Sequence, residues 1–195
     1  MEVRATTWWM GRAGTEGEDE AQFAAVLERA IAGDVSAFEQ IVIRYERRVL
    51  TLAWRLLGKS EDAQDAAQET FLRAYRFLRG FNRIKSFEPW LVRITVNVCR
   101  DFARKRQRQV TAPLDPEVSA GSRDPHGDLQ SEERKTMLYR ALDQLPAKER
   151  AAVVLRDLEG HTTAEVAQIL GSSEATVRVQ ISNARLKIRK FLNRE

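Results

Sequence analysis

Between Phe81 and Arg108 the chain reads FNRIKSFEPWLVRITVNVCRDFARKRQR, and rings alternate with cations along it. Phe81, Phe87, Trp90 and Phe102 are interleaved with Arg83, Lys85, Arg93, Arg100, Arg104, Lys105, Arg106 and Arg108, against only Glu88 and Asp101. That mixture suits single-stranded nucleic acid, because cations follow the phosphates and flat rings stack on unpaired bases. A helix with a ring-lined core and a solvated cationic face would carry the same residues. The rest of the chain has to separate the two readings.

Composition removes several classes of function. Of the 195 residues, 43% are hydrophobic and 31% charged, which supports globular cores and leaves no apolar run long enough to span a bilayer. Trp8, Trp9 and Met10 precede the acidic GTEGEDE, the reverse of a secretory signal, so a cytoplasmic location is expected. Cys99 is the single cysteine, and His126 and His161 lie far apart, so neither a disulfide nor a metal site is expected. Cys99 reads as a packed hydrophobe, and no catalytic residue or cofactor is visible. The formal charge of +4 hides segregation. Cations gather at Arg100–Arg108 and again at Arg178–Arg194, two patches suited to one polyanion.

The elements that must position these patches are helices. Residues 1–20 show no apolar period and read as an acidic, mobile tail, in which the paired tryptophans find no role. Phe23, Val26, Leu27, Ala30 and Ile31 recur at helical spacing up to Gly33. Ser36 and Glu39 suggest a capping box for a second helix, whose stripe Ala37, Ile41, Tyr45, Val49, Leu52 and Leu56 ends at Gly58. Ser60 is expected to cap a third, with Asp65, Gln68 and Glu69 in its acidic half and Arg73, Arg76 and Arg79 in its basic half. Ala66, Ala67, Thr70, Phe71, Ala74 and Phe77 are its core candidates. A loop from Phe81 to near Pro89 leads into a fourth helix with Leu91, Ile94, Val98 and Phe102 inward. Arg93, Asn97, Arg100 and Arg104 then fall on or beside the outer face, where Asn97 could bond a base edge.

Residues 109–130 hold three of the five prolines and an acidic balance, and read as a linker. Beyond it, Met137, Leu138, Ala141, Leu142 and Leu145 mark one helix, and Pro146 opens another running to Leu158. Thr162 and Glu165 form a capping box, Gly171 ends the short helix AEVAQIL, and Ser173 caps a long final helix. Val177, Ile181, Ala184, Ile188 and Phe191 form its buried stripe, which leaves Arg178, Val179, Ser182, Asn183 and Arg185 outward. A helix-turn-helix lays that half of its second helix in the DNA major groove.

The blocks DAAQETFLRAYRFLRGF, FEPWLVRITVNVCRDFARKR, LDQLPAKERAAVVLRDLEGHTTAEVAQILGSSEATVR and NARLKI carry a family resemblance. In order and spacing they resemble the extracytoplasmic-function sigma factors, short members of the bacterial sigma-70 family, and cover nearly everything from Phe23 except the linker. The resemblance implies an all-α protein of two small helical domains. The two are sigma domain 2 at 21–107 and sigma domain 4 at 131–195, preceded by a tail at 1–20 and joined by a flexible linker at 108–130.

It further implies a promoter-specificity subunit with no enzymatic activity and no small-molecule substrate. Asp65, Gln68 and Glu69 match the helix that binds the clamp helices of the largest subunit of core RNA polymerase, whose flap is a second contact. The loop from Phe81 through Lys85 to Phe87, with Asn97, looks like the pocket for a flipped base of the minus-ten element. Trp90, Arg93, Arg100 and Arg104 match the surface that holds the opened strand. The last domain would read the minus-thirty-five element in duplex DNA through Arg178, Val179, Ser182, Asn183 and Arg185. An anti-sigma protein, often membrane-bound in relatives, is a further implied partner. Two departures stand out. Val179 and Gln180 follow Arg178 where Ser then Arg is common, and Pro89 replaces a threonine before Trp90. A dimeric helix-turn-helix regulator would need neither the single-strand ledge nor the acidic-amide helix. An enzyme on nucleic acid would need a clustered set of carboxylates or a histidine site.

Overall fold

The computed structural model describes residues 16–82, 86–109 and 129–193, and these residues are helical with no strand among them. The tail with Trp8 and Trp9, the loop residues Arg83, Ile84 and Lys85, and the linker residues 110–128 lie outside the described residues. In chain order come α1 (Glu16–Ile31), α2 (Val35–Leu57), α3 (Ser60–Phe77) with a 3-10 turn at Leu78–Gly80, and α4 (Phe87–Gln109). The second group holds α5 (Leu129–Asp143), α6 (Ala147–Val153) with a π turn at Val154–Leu158, α7 (Thr163–Leu170) and α8 (Glu174–Leu192).

Three helix starts differ from the sequence reading. The first helix begins at Glu16, so the last residues of the stretch read as a tail are helical, and the acidic GEDE there suits the partial positive charge of a helix N-terminus. The second is capped by Asp34 rather than by Ser36. Asp34 Oδ1 accepts from the Ala37 amide at 3.2 Å and from the Ser36 hydroxyl at 2.7 Å, while Arg29 donates to Oδ2 at 2.6 Å. A carboxylate so placed accepts more and stronger bonds than a hydroxyl could, and those from Ser36 and Arg29 hold its pKa down at about 2. The third helix has Lys59 at its cap with no side-chain bond, so Ser60 is already inside the helix. Gly58, by contrast, ends α2 as expected, at a φ of 73° that a residue with a Cβ rarely adopts.

Packing is built on the predicted stripes. Phe38, Ile41, Tyr45 and Val49 of α2 meet Ala74, Leu78, Phe81, Phe87 and Leu91 in one buried cluster. Ala53 and Leu57 meet Ala63, Ala66, Val98 and Cys99 in a second. Phe77 departs from expectation, because it is 62% exposed at the end of α3 while Leu78 takes the core position.

A third cluster crosses between the two helix groups. Leu52 of α2 and Val92 and Val96 of α4 share it with Leu142, Leu145, Val154, Leu155, Val166 and Val177. Polar groups seal its rim. The Glu159 carboxylate, only 8% exposed, takes Arg55 at 2.5 Å and Arg48 at 3.9 Å. Arg150 donates to the Leu56 carbonyl oxygen at 3.2 Å, and Trp54 meets Tyr139 edge-on with ring centroids 4.1 Å apart. The wide turn at Val154–Leu158, closed by the Glu159 amide donating to the Val154 carbonyl, is what brings Glu159 to α2. Replacing Glu159 with alanine leaves Arg55 half of a broken ion pair in a largely buried place. Stability should fall by about 3 kcal/mol, read as a lower urea midpoint, and an unchanged midpoint would show the pair to carry no net weight.

Candidate nucleic-acid interface

The geometry of α4 decides which residues of the aromatic and cationic stretch face water. Trp90, Arg93, Asn97, Arg100 and Arg104 follow one another at steps of three, four, three and four residues, which sets them on one arc of the helix. Leu91, Val92, Val96, Val98 and Cys99 occupy the rest of the circumference and are buried. Arg93, Asn97 and Arg104 are exposed, and Trp90 and Arg100 are half-buried. None of the three arginines has a carboxylate partner among the described residues. Their charge is available to a ligand.

Phe81 and Phe87 do not join that arc. They are 6% and 5% exposed, so neither ring can stack on a base in this structure, contrary to the sequence expectation. The cause is a ring cluster in the core: Phe23, Tyr45, Phe81 and Phe87 contact one another at centroid distances of 5.5–5.7 Å. Phe81 and Phe87 instead back Trp90, at 5.1 Å and 5.3 Å, and fix the plane of its half-buried indole. Lys85, between them, lies outside the described residues. Pro89 sits in the first turn of α4, where a missing amide hydrogen leaves no helix bond unmade.

On α3, Asp65 and Gln68 are exposed and Glu69 is half-buried, while Ala63, Ala66, Thr70 and Ala74 hold the opposite face in the core. Glu69 accepts from Arg73 at 2.7 Å, and Arg73 also reaches Asp101 of α4 at 2.8 Å. These bonds raise the Arg73 pKa and tie the acidic-amide helix to the cationic one. Leu72 emerges on the same outer face, 47% exposed, and was not among the residues the sequence singled out. Its signal was there: it lies four residues beyond Gln68, off the core stripe.

In the second group, α7 and α8 make the turn that capping predicted. Thr162 accepts from the Glu165 amide at 3.2 Å, and Glu165 Oε2 accepts from the Thr162 amide at 2.7 Å, which holds that carboxyl below its usual range. Gly171 has a φ of 61°, and the Ser173 hydroxyl accepts from the Thr176 amide at 3.2 Å. Val177, Ile181 and Ala184 are buried, and Arg178, Val179, Ser182 and Asn183 are exposed. Arg185 is exposed but committed, since its guanidinium donates twice to Asp157 at 2.6 and 2.9 Å. Arg178 is held more simply, by Glu174 one turn earlier at 2.8 Å.

Burial pushes the Cys99 thiol up to about 12, which keeps it protonated and inert at neutral pH. Among the described residues no helix is long and apolar enough to cross a membrane.

A two-region helical protein with a cationic ledge on one helix and a capped helix-turn-helix at the other end defines a class that binds nucleic acid in two forms. Comparison with known proteins identifies the class. Residues 41–109 match Sigma-70 region 2, and residues 135–188 match Sigma-70, region 4. The chain is 35% identical over 179 residues to the ECF RNA polymerase sigma factor SigM of Mycobacterium tuberculosis, covering 92% of this chain and 89% of that protein. It is 32% identical over 186 residues to the RNA polymerase sigma-H factor of Pseudomonas aeruginosa, covering 89% and 95%. The crystallised sigma factor RpoE of Bartonella quintana, in complex with the anti-sigma factor NepR, superposes with a TM-score of 0.69 at 25% identity, covering 80% of this chain and 96% of that one. The chain belongs to the extracytoplasmic-function branch of the sigma-70 family.

The capping box carries a direct test of how firmly α7, the first helix of the pair, is held. Thr162→Ala removes the hydroxyl that accepts from the Glu165 amide and donates to its carboxylate, leaves the backbone half of the box, and should cost about 1 kcal/mol, measured by thermal unfolding, with helicity of the folded state retained.

Proposed function

We propose that this chain carries out the family's task, binding core RNA polymerase, directing it to particular promoters and helping to open the DNA, through three surfaces with distinct chemistry. On this reading residues 21–107 form the domain that binds core polymerase and the minus-ten element. Residues 131–195 form the domain that reads the minus-thirty-five element and meets the polymerase flap. The observation that carries it is the α4 arc, where Trp90, Arg93, Asn97, Arg100 and Arg104 follow one another, the three arginines without a carboxylate partner among the described residues, while Leu91, Val92, Val96, Val98 and Cys99 hold the helix in the core.

The division of labour follows from the chemistry. Arg93, Arg100 and Arg104 hold the phosphates of the non-template strand, and Trp90 offers a stacking surface at its edge. Asn97 bonds the edge of a base that has left the stack, a step costing a few kcal/mol that these contacts offset. Asp65, Gln68 and Glu69 dock on the clamp helices of the largest subunit. Arg178, Val179, Ser182 and Asn183 enter the duplex major groove. The chain acts in the cytoplasm as a non-enzymatic subunit, without cofactor, and an anti-sigma protein restrains it when it is not needed. That last assignment is supported by the complex of RpoE with NepR.

The packed interface sets a further requirement. With α7 against α4 and α8 against α7, two helix spacings of about 10 Å separate the recognition helix from the ledge. Two promoter elements whose names differ by about 25 base pairs are about 85 Å apart at the rise of duplex DNA. The two domains therefore separate on loading, and the junction at Glu159 opens.

Reconstituted transcription tests the reading. Asn97→Ala should weaken open-complex formation on a duplex promoter severalfold and leave retention by core polymerase unchanged; equal losses of both would remove the base-pocket role. Asp65→Lys with Glu69→Lys should abolish co-purification with core polymerase, and undiminished co-purification would remove the clamp assignment.

A further inference from the structure

The outward face of α8 is apolar along its centre. Ala175, Val179, Ser182 and Leu186 follow at intervals of three and four residues on the side opposite Val177 and Ile181, with Val179 59% and Leu186 50% exposed. No part of the fold covers Val179. A β-branched residue lowers helix propensity, so at an exposed position it gives the fold neither packing nor helix stability.

The groups that would read guanine are turned to other partners. The Arg185 fork is closed on Asp157 by two bonds, and Arg178 is held by Glu174. Gln180 is half-buried with its Oε1 atom sealed from solvent, so it does not reach the groove side. What the helix offers at its exposed centre is a branched methyl pair, flanked by the hydroxyl of Ser182 and the amide of Asn183. In the major groove the apolar feature of a base pair is the thymine 5-methyl group.

We propose that Val179 is a specificity-determining residue that packs on the 5-methyl group of a thymine in the upstream element. This rests on the placement of α8 in the groove. Duplex DNA, rather than a protein, is the occupant that suits the surroundings, because the exposed Arg189 and Lys190, with no carboxylate partner among the described residues, flank the C-terminal end of the ridge at Leu186. Contact with one methyl group is worth about fourfold in affinity.

The experiment uses the full chain bound to core polymerase to select upstream sites from a pool of randomised duplexes. The enriched duplex is then resynthesised with deoxyuridine in place of each thymidine in turn, which deletes the methyl group and nothing else. At one position uracil should weaken binding about fourfold for the native protein, while Val179→Ala should bind the thymine and uracil duplexes alike. If an upstream sequence is enriched but uracil equals thymine throughout, Val179 is not the methyl reader and the groove placement stands. If no upstream sequence is enriched, the groove placement falls with it. If Val179→Ala instead loses retention by core polymerase with an unaltered uracil response, a protein covers the ridge and the inference is wrong.

Discussion

Every buried cluster among the described residues runs through α4. Leu91 belongs to the core with α2 and the 3-10 turn, Val98 and Cys99 to the core with α3, and Val92 and Val96 to the core shared with the second helix group. A helix buried on three sides has one arc left, and that arc carries Trp90, Arg93, Asn97, Arg100 and Arg104. The constraint fixes the ledge twice over. The backbone cannot roll without exposing an apolar row, and Phe81 and Phe87 fix the indole of Trp90 from behind. On the proposed reading such rigidity helps the surface compete with base stacking, because little ordering would remain to be done when a strand arrived.

The contact between the two helix groups combines an apolar centre with a charged rim, and the two parts have different effects. Burying Leu52, Val92 and Val96 against α6 and α7 supplies cohesion roughly in proportion to the area hidden. The Arg55–Glu159 pair supplies little net cohesion, since desolvating two charges offsets most of their attraction. It does supply selectivity of arrangement, because any other docking would strand a carboxylate away from its cations. Such a junction specifies one closed arrangement without holding it tightly, which on the proposed reading lets a partner that offers better contacts elsewhere open it.

Local signals were legible in the sequence and long-range ones were not. Thr162, Glu165, Gly171 and Ser173 announced the second helix pair correctly because capping is chemistry between residues three positions apart. The same logic misplaced the start of α2, where Asp34 takes the Ala37 amide, draws the Ser36 hydroxyl onto itself and is held by Arg29 from the preceding helix. Phe81 and Phe87 read as stacking rings because they sit among cations. Their burial depends on Phe23 and Tyr45, which the sequence leaves far away. The shared core was illegible for the same reason: Leu52, Val92 and Val96 find partners across the whole linker.

The cations of α8 bear on how strongly this chain could hold duplex DNA alone. Arg178, Arg185 and Lys187 each already have a carboxylate, from Glu174, Asp157 and Glu149. A phosphate that recruits one of these cations must displace that carboxylate, so the gain from counterion release is reduced by the loss of an existing pair. Arg93, Arg100 and Arg104 of α4 face no such exchange, but on the proposed reading their ligand exists only where the duplex has already opened. Neither surface is therefore built for tight binding by itself. Joining them on one scaffold replaces two weak encounters with one encounter and one intramolecular step, in which the second site meets its DNA at high effective concentration. Discrimination can then rest on small contacts such as a single methyl group, because the scaffold and not the groove supplies most of the affinity.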